Sequence, residues 1–372
     1  MRVAILRREP QFSFSMNVYA NGIANGLRKV RPNWEILEFM PKISHNSANA
    51  LINGLQKYYN RYWLYPRSLS HQQVDIFHII DHSDAHLVYW LKKLGQSQVV
   101  TCHDLINLVR PETFRGKAFF PLISMATWKW AISGMEQADG IIAVSQHTAR
   151  DITQYLNPKS SEINVIPNAV ESKFHCLDSE EMSAFRQQYN LDSDCFYLLN
   201  VGSNNSRKNV FTILKVLLKL KEQGLKVHFW KAGTGFDSEQ KTFIQTHNLE
   251  KYITYWGEPD DTVLIRLYNA ANVLVAPSLY EGFGMTILEA MACGTSVVTS
   301  NVSSLPEVAG DAAILSEPTD VMAIAAALSR LQNDSAFRQS LIEQGLERVK
   351  QFSWESTAEK VALVYEKLCL RA

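Results

Sequence analysis

A chain of 372 residues exceeds what one hydrophobic core ordinarily supports, so two domains are expected. Its 46% apolar and 20% charged residues are ordinary for a globular protein, and 37 basic side chains balance 37 acidic ones, which argues against a nucleic-acid partner held by bulk positive charge. Five scattered cysteines without a CxxC pair, too short an apolar run at the N-terminus for a signal peptide, and no stretch of about 18 apolar residues point away from a disulfide framework, a zinc site and a membrane span, and toward a reducing cytoplasm.

The first apolar run, 3–6, leads into Phe12-Ser-Phe-Ser-Met-Asn-Val-Tyr19, a loop without glycine in which Ser15 or Asn17 is a candidate cap for the first helix. Further runs follow at 34–39, 74–80, 98–101, 140–144 and 164–166, separated by helix-length segments. They lack polar alternation, as strands buried on both faces of a parallel sheet do. Between them, residues 57–67 pack five aromatics and three cations into eleven positions, and residues 114–120 with Trp128 and Trp130 are similar in kind. Rings beside cations suit a membrane interface; they also suit a domain core and its ligand cleft. Residues 1–172 hold 18 basic and 13 acidic side chains, an excess that phosphates or anionic headgroups would favour. At the end of the 98–101 run stands Val99-Val-Thr-Cys-His-Asp-Leu105. A neutral His103 there is suited to contact a substrate hydroxyl, or simply to cap the next segment.

Residues 171–195 are polar and carry no strand-like run, so the linker is placed there. The alternation then starts again, with runs at 197–201, 226–231, 253–256, 273–276, 296–299 and 313–315 and a final helical pattern over 354–370. Two doubly wound α/β domains are the expectation, each binding ligand outside the carboxyl ends of its strands. The boundaries predicted are 1–172 and 173–353, with residues 354–372 packing back on the first domain.

Two segments of the second half carry chemistry. Val201-Gly-Ser-Asn-Asn-Ser-Arg-Lys-Asn209 places Arg207 and Lys208 where its first strand ends. Two adjacent cations there can neutralise a diphosphate, although an exposed pair is ordinarily solvated surface. Further on, a strand runs through Pro277-Ser-Leu-Tyr-Glu-Gly-Phe-Gly-Met-Thr-Ile-Leu-Glu-Ala-Met-Ala-Cys-Gly294 into a turn and a helix starting near Gly284. Gly282 and Gly284 let backbone approach a ligand closely. The amides of Phe283, Gly284 and Met285 then form an anion site with the helix dipole. Glu289 falls in the second turn, roughly 7 Å along the axis, where its carboxylate can accept two bonds from a vicinal diol. Glu281 lies in the turn itself, pointing at whatever the phosphate carries.

Together, Pro277-Ser, Glu281-Gly-Phe-Gly, Glu289-Ala-Met-Ala-Cys-Gly and Ser304-Leu-Pro-Glu-Val-Ala-Gly310 resemble glycosyltransferase family four, of the GT-B fold. The resemblance implies two Rossmann-like domains facing across a cleft, an acceptor side in the first and a nucleotide-sugar donor site in the second. It implies transfer with retention of anomeric configuration and no metal or other cofactor. Arg207, Lys208 and Gly202 match the family's diphosphate-binding segment. Glu281 and Glu289 match its paired glutamates, and His103, with Asp104 supporting it and Pro111-Glu112 following, matches a histidine beside the transferred sugar. Histidine segments of this kind resemble those of mannosyltransferases, which favours GDP-mannose as donor with a UDP-sugar next. The acceptor is expected to be a glycan or lipid-linked hydroxyl, with peripheral association of the first domain at the inner face of a membrane. Relatives carry a Gly-Gly pair in the first loop; this chain does not. The rival readings are an epimerase of related fold and a non-catalytic nucleotide-sugar-binding protein, against which the four charged residues argue together. A dinucleotide enzyme is disfavoured because no GxGxxG follows the first strand of either half.

Overall fold

The computed structural model describes residues 1–8, 14–41, 50–111, 121–158 and 162–371. In strand β1, Arg2–Leu6, Val3 and Ile5 join one core cluster and Ala4 and Leu6 another, all four buried. A strand whose alternate residues enter two cores is covered on both faces, which is why its sequence shows no polar alternation. The same division recurs in β3 (Ile76–Ile79), β4 (Ser97–Cys102) and β5 (Gly140–Ala143). With β2 (Glu35–Phe39) and β6 (Glu162–Val165) these strands form a six-stranded sheet in the order β2-β1-β3-β4-β5-β6. Strands β7 (Phe196–Val201), β8 (Val227–Ala232), β9 (Ile253–Tyr255), β10 (Val273–Ala276), β11 (Ser296–Ser300) and β12 (Ile314–Ser316) form a second sheet, β12-β11-β10-β7-β8-β9. Every pairing in both is parallel.

Each of the twelve expected runs is therefore a strand. The two sheets are not copies, however. Counted from its own first strand, the second has the dinucleotide-binding order 3-2-1-4-5-6, with its switch point between β7 and β10. The first begins 2-1-3, the flavodoxin-like order, and switches between β1 and β3.

The chain divides into two compact units: unit 1 is Met1–Ala169 with Trp354–Ala372, and unit 2 is Val170–Ser353. In unit 1 the C-terminal helix Trp354–Cys369 lies along the first helix, Phe14–Val30. A Cβ on Gly22 would run into the Trp354 indole, and one on Gly26 into Ala358. The two glycines, four apart, thus open a groove on one helix face. Val361, Ala362, Tyr365 and Leu368 complete the core containing Val3, Ile5, Ile23 and Leu27.

Two expectations about local structure change. Residues 171–195 are not a bare connection, since they build the helix Ser179–Gln188 within unit 2. Asp178 caps it by accepting the Glu181 amide, and buried Phe185 anchors it against the rings of Tyr189 and Trp256. One apolar anchor in a polar stretch is too faint a period to read from sequence. Secondly, the first helix begins at Phe14, so Ser15 and Asn17 lie inside its first turn and neither precedes it as a cap.

Candidate active site

Unit 2 builds its site from the loops leaving β7 and β10, the two strands that flank its switch point. The chain turns at Gly202, φ +124°, and reaches a short 3-10 turn, Ser206–Lys208. From there it meets the β10 loop through backbone and side chain together. The Leu279 amide donates to the Arg207 carbonyl (2.7 Å), and Asn209 Nδ2 donates to Pro277 O (3.0 Å). Arg207 Nη1 reaches Glu281 Oε2 at 2.5 Å and the Tyr280 carbonyl at 3.2 Å, while Lys208 Nζ meets Glu281 Oε1 at 2.7 Å. Ser278 Oγ donates to the same Oε1 (2.9 Å). Burial would raise the Glu281 carboxyl, but Lys208 and Arg207 overrule it and hold it down at about 2. The result is a charged triad with one net positive charge, both cations fixed by a carboxylate rather than extended into water.

The turn carrying Glu281 is tied to the segment after β11. The Glu281 amide donates to Ser303 Oγ (3.0 Å), and Ser304 Oγ serves the carbonyls of Glu281 (2.9 Å) and Phe283 (2.8 Å). Gly282 and buried Phe283 complete the turn, and Gly284, φ +111°, begins the helix Met285–Ala292. Ile287 makes the first bond back to Gly284, so the amides of Phe283, Gly284 and Met285 precede the intrahelical ladder. Glu289 is in the second turn, where the Tyr268 hydroxyl donates to its Oε2 at 2.7 Å. Burial raises the Glu289 carboxyl, opposed by that hydrogen bond.

Behind the Gly202 turn is a group the motifs do not announce. Lys231, at the end of β8, is buried and donates to the carbonyls of Gly202 (2.6 Å) and Ala232 (2.8 Å). Burial, then the nearby Lys208, lowers its ammonium to about 8. Gly233 packs against Gly202 so closely that a Cβ there would collide with the Gly202 carbonyl.

In unit 1 the strand ends flanking the switch point carry a second polar cluster. His103, just past β4, is buried, and its Nε2 is 2.8 Å from the Ile80 carbonyl. A carbonyl only accepts, so Nε2 holds the proton and Nδ1 keeps its lone pair. Burial lowers its basicity, against the pull of the Asp81 carboxylate, so the ring is neutral. Tyr19 presents its ring edge-on to His103 with centroids 4.7 Å apart. Behind them runs a buried chain from Tyr365 Oη to His78 Nδ1 (2.6 Å), His78 Nε2 to Thr101 Oγ1 (2.7 Å) and Thr101 Oγ1 to Tyr19 Oη (2.9 Å). Asp104, whose Oδ1 accepts the Ile106 amide at 3.1 Å, also pulls on His103 through its charge, though least of the groups around the ring. The carboxylate His103 feels most is Asp81, paired with Arg8 at 2.8 Å and accepting the Ser83 amide. Arg8, Asp81 and Tyr19 lie in no recognisable motif; the register of β1 and β3 brings Arg8 and Asp81 to one strand edge, and the first helix sets Tyr19 against His103. Glu112 and residues 114–120 lie outside the described residues. Among the described residues no group of three or more His, Cys, Asp or Glu is arranged to hold a metal ion.

These features place a charged or polar cluster at the strand ends of each of two α/β units, and comparison with known proteins specifies the class. Residues 181–348 match the family described as Glycosyl transferases group 1, and residues 37–174 match Glycosyltransferase Family 4. O-antigen chain mannosyltransferase B of Escherichia coli is 33% identical over 285 residues, 75% of this chain and 73% of that protein. The serotype-specific mannosyltransferase WbdA of the same species is 30% identical over 296 residues, 76% of this chain but only 36% of that longer protein. Sucrose-phosphate synthase from Thermosynechococcus elongatus shares the fold over 100% of both chains, with a TM-score of 0.78 at 22% identity. The Anabaena protein HepE, solved with UDP and glucose, has a TM-score of 0.76 at 15% identity. The chain belongs to glycosyltransferase family 4 and has the GT-B fold. It is a glycosyltransferase.

Proposed function

We propose that this enzyme transfers a hexose, with retention of anomeric configuration, from a nucleoside-diphosphate sugar to a hydroxyl of a glycan or lipid-linked acceptor. GDP-mannose is the favoured donor and a UDP-sugar the next. The observation carrying the donor site is the Arg207–Glu281–Lys208 triad at the switch point of unit 2. In the reaction the bond from the sugar's anomeric carbon to the diphosphate breaks, a bond to the acceptor oxygen forms on the same face, and the acceptor proton passes to the departing phosphate oxygen. Negative charge grows on the diphosphate as it leaves. Arg207 and Lys208, held in place beforehand by Glu281, and the amides of Phe283, Gly284 and Met285 meet that charge without reorganising. Glu289, oriented by Tyr268, suits the ribose hydroxyls. Glu281 faces both cations and is shared between them and the sugar. His103 offers Nδ1 as an acceptor for a hydroxyl of the transferred sugar. No resident metal or other cofactor enters this scheme.

The preference for mannose rests on the two relatives named as mannosyltransferases. Thermal melting with GDP, UDP, ADP and their sugar conjugates tests it, because a ligand that binds only the native state raises the midpoint according to its affinity. A shift with GDP and GDP-mannose that exceeds those with UDP and ADP is the expected result. A larger shift with UDP reassigns the donor, and no shift with any of them removes the donor site.

A further inference from the structure

Among the described residues of unit 2, Lys231 is a buried cation that no carboxylate pairs; the charged group acting on it is a second cation, Lys208. It stands at the end of β8 with Asn200 of β7 and Tyr255 of β9 as its ladder partners. The backbone around it closes a small ring. The Gly202 amide donates to the Ala232 carbonyl at 3.0 Å, and the Lys231 ammonium donates to that carbonyl at 2.8 Å and to the Gly202 carbonyl at 2.6 Å. Both polar groups of Gly202 are thereby fixed. In a trans peptide the carbonyl and the following amide point in opposite directions, so holding the Gly202 carbonyl inward turns the Ser203 amide outward. Lys208 passes over the same glycine: a Cβ on Gly202 would sit 3.6 Å from Lys208 Cε and 3.8 Å from its Nζ.

Tying two loops together needs no charge. An amide side chain would bond both carbonyls without the cost of taking an ammonium out of water, a cost that only an opposite charge offsets well. The opposite charge is the one a ligand brings. With Arg207, Lys208 and Lys231 set against Glu281, the turns at Gly202 and Glu281 hold a net charge of plus two, and the diphosphate of a nucleotide sugar carries minus two. We propose that Lys231 is a positioning residue of the donor site: from behind the Gly202 turn it holds the 202–203 peptide with its amide outward and adds a third positive charge to the seat of the diphosphate. This rests on the donor-site reading above. A pH dependence follows. Burial and the nearby Lys208 lower the free ammonium to about 8, and a bound diphosphate favours its charged form and so raises it again. Binding therefore takes up a proton near pH 8; affinity is full below about 8 and falls as the pH climbs above it. The titratable groups facing Lys231 are Lys208, from the loop after β7, and Tyr255, from β9.

Titration calorimetry of the full chain with GDP and with UDP tests this. At about pH 8, in two buffers of different ionisation enthalpy, the wild type should take up a fraction of a proton on binding, since the phosphates are already ionised there. Lys231→Met keeps the length of the side chain and removes its charge. It should bind the nucleotide about tenfold or more weakly near neutral pH, show no uptake, and lose the decline in affinity toward about pH 9.5. Titration of the base itself is common to both proteins and cancels in the comparison. Lys231→Gln keeps a donor for the two carbonyls and should be weakened as the Met variant is. Melting temperatures of the variants report folding, and the wild-type uptake is readable whether or not they fold. Nucleotide binding by the wild type without proton uptake overturns the proposal and leaves the donor site standing. So does a Met variant with unchanged affinity and pH profile, or a Gln variant with full affinity, which would reduce Lys231 to a loop tie. A wild type that binds neither nucleotide at any pH removes the donor site and the proposal with it.

Discussion

At the scale of single residues, Glu281 does two things, and its charge state separates them. Its carboxyl lies at about 2 in the folded protein against an ordinary value of 4.5, because Lys208 and Arg207 outweigh its burial. The unfolded chain therefore takes up the proton first as acid is added. The triad's contribution, at most roughly 3 kcal/mol, is whole above about pH 4.5 and drains away as pH falls toward 2. His78 acts in the same direction from a higher start. Burial lowers it to about 3, so its unfolded form protonates first below about pH 6.5 and stability falls with it. Glu281→Gln should melt lower near neutral pH, because two buried-side cations lose their partner, and should show a flatter decline between pH 4.5 and 2. Melts across that range would show it, and an unchanged acid limb would break the link to Glu281. Arg207→Ala leaves Lys208 paired and removes the planar fork. Its kcat/KM should drop by about a hundredfold or more, with the nucleotide-induced thermal shift reduced. Near-normal turnover would refute the leaving-group role.

At the scale of elements, the C-terminal helix depends on two glycines in another helix. Gly22→Ala drives a methyl into the Trp354 indole and should destabilise unit 1 by about 1–3 kcal/mol, read as a lower melting temperature. Adding Trp354→Leu removes the obstructing ring and should recover part of the loss; a purely helix-propensity effect would make Gly22→Ala stabilising instead. Nothing in residues 14–30 states that they face residues 354–369, because packing between segments so far apart leaves no local period. The strands were legible for the opposite reason: apolar residues buried on both faces form continuous runs that any window detects. The unit 2 site was legible as well, since Arg207, Lys208, Glu281 and Glu289 stand in fixed spacings around turns. Its supports were not. Lys231 reads as an ordinary strand lysine, Tyr268 as a helix-face aromatic, and Ser303 and Ser304 as turn residues. Each acquires meaning only from parallel register, which sets the ends of β7, β8, β10 and β11 side by side. The same holds for Asp81, whose carboxylate acts on His103 more strongly than that of Asp104 because β1, β3 and β4 end together.

At the scale of the whole molecule, the two units differ in how they are closed by the chain. Unit 2 is one continuous stretch, Val170–Ser353, with a core of its own in which Leu198, Ile213, Leu217, Phe229 and Val275 meet. Every side chain of the triad, Glu289 with its Tyr268, and Lys231 belong to that stretch. Unit 1 is assembled from two pieces, and its core is left open on one face without Ala358, Val361, Tyr365 and Leu368. The topology therefore predicts an asymmetry. A fragment of residues 170–353 should unfold cooperatively and keep the nucleotide-induced thermal shift of the full chain. Residues 1–169 alone should be poorly folded, exposing Ile5, Ile23 and Leu27 where the last helix belongs, and should gain structure on addition of a peptide spanning 354–371. Circular dichroism melts and nucleotide titration of the separate pieces decide the matter. If the 170–353 fragment folds but ignores nucleotides that stabilise the full chain, the donor site needs groups beyond unit 2, and the triad alone does not define it.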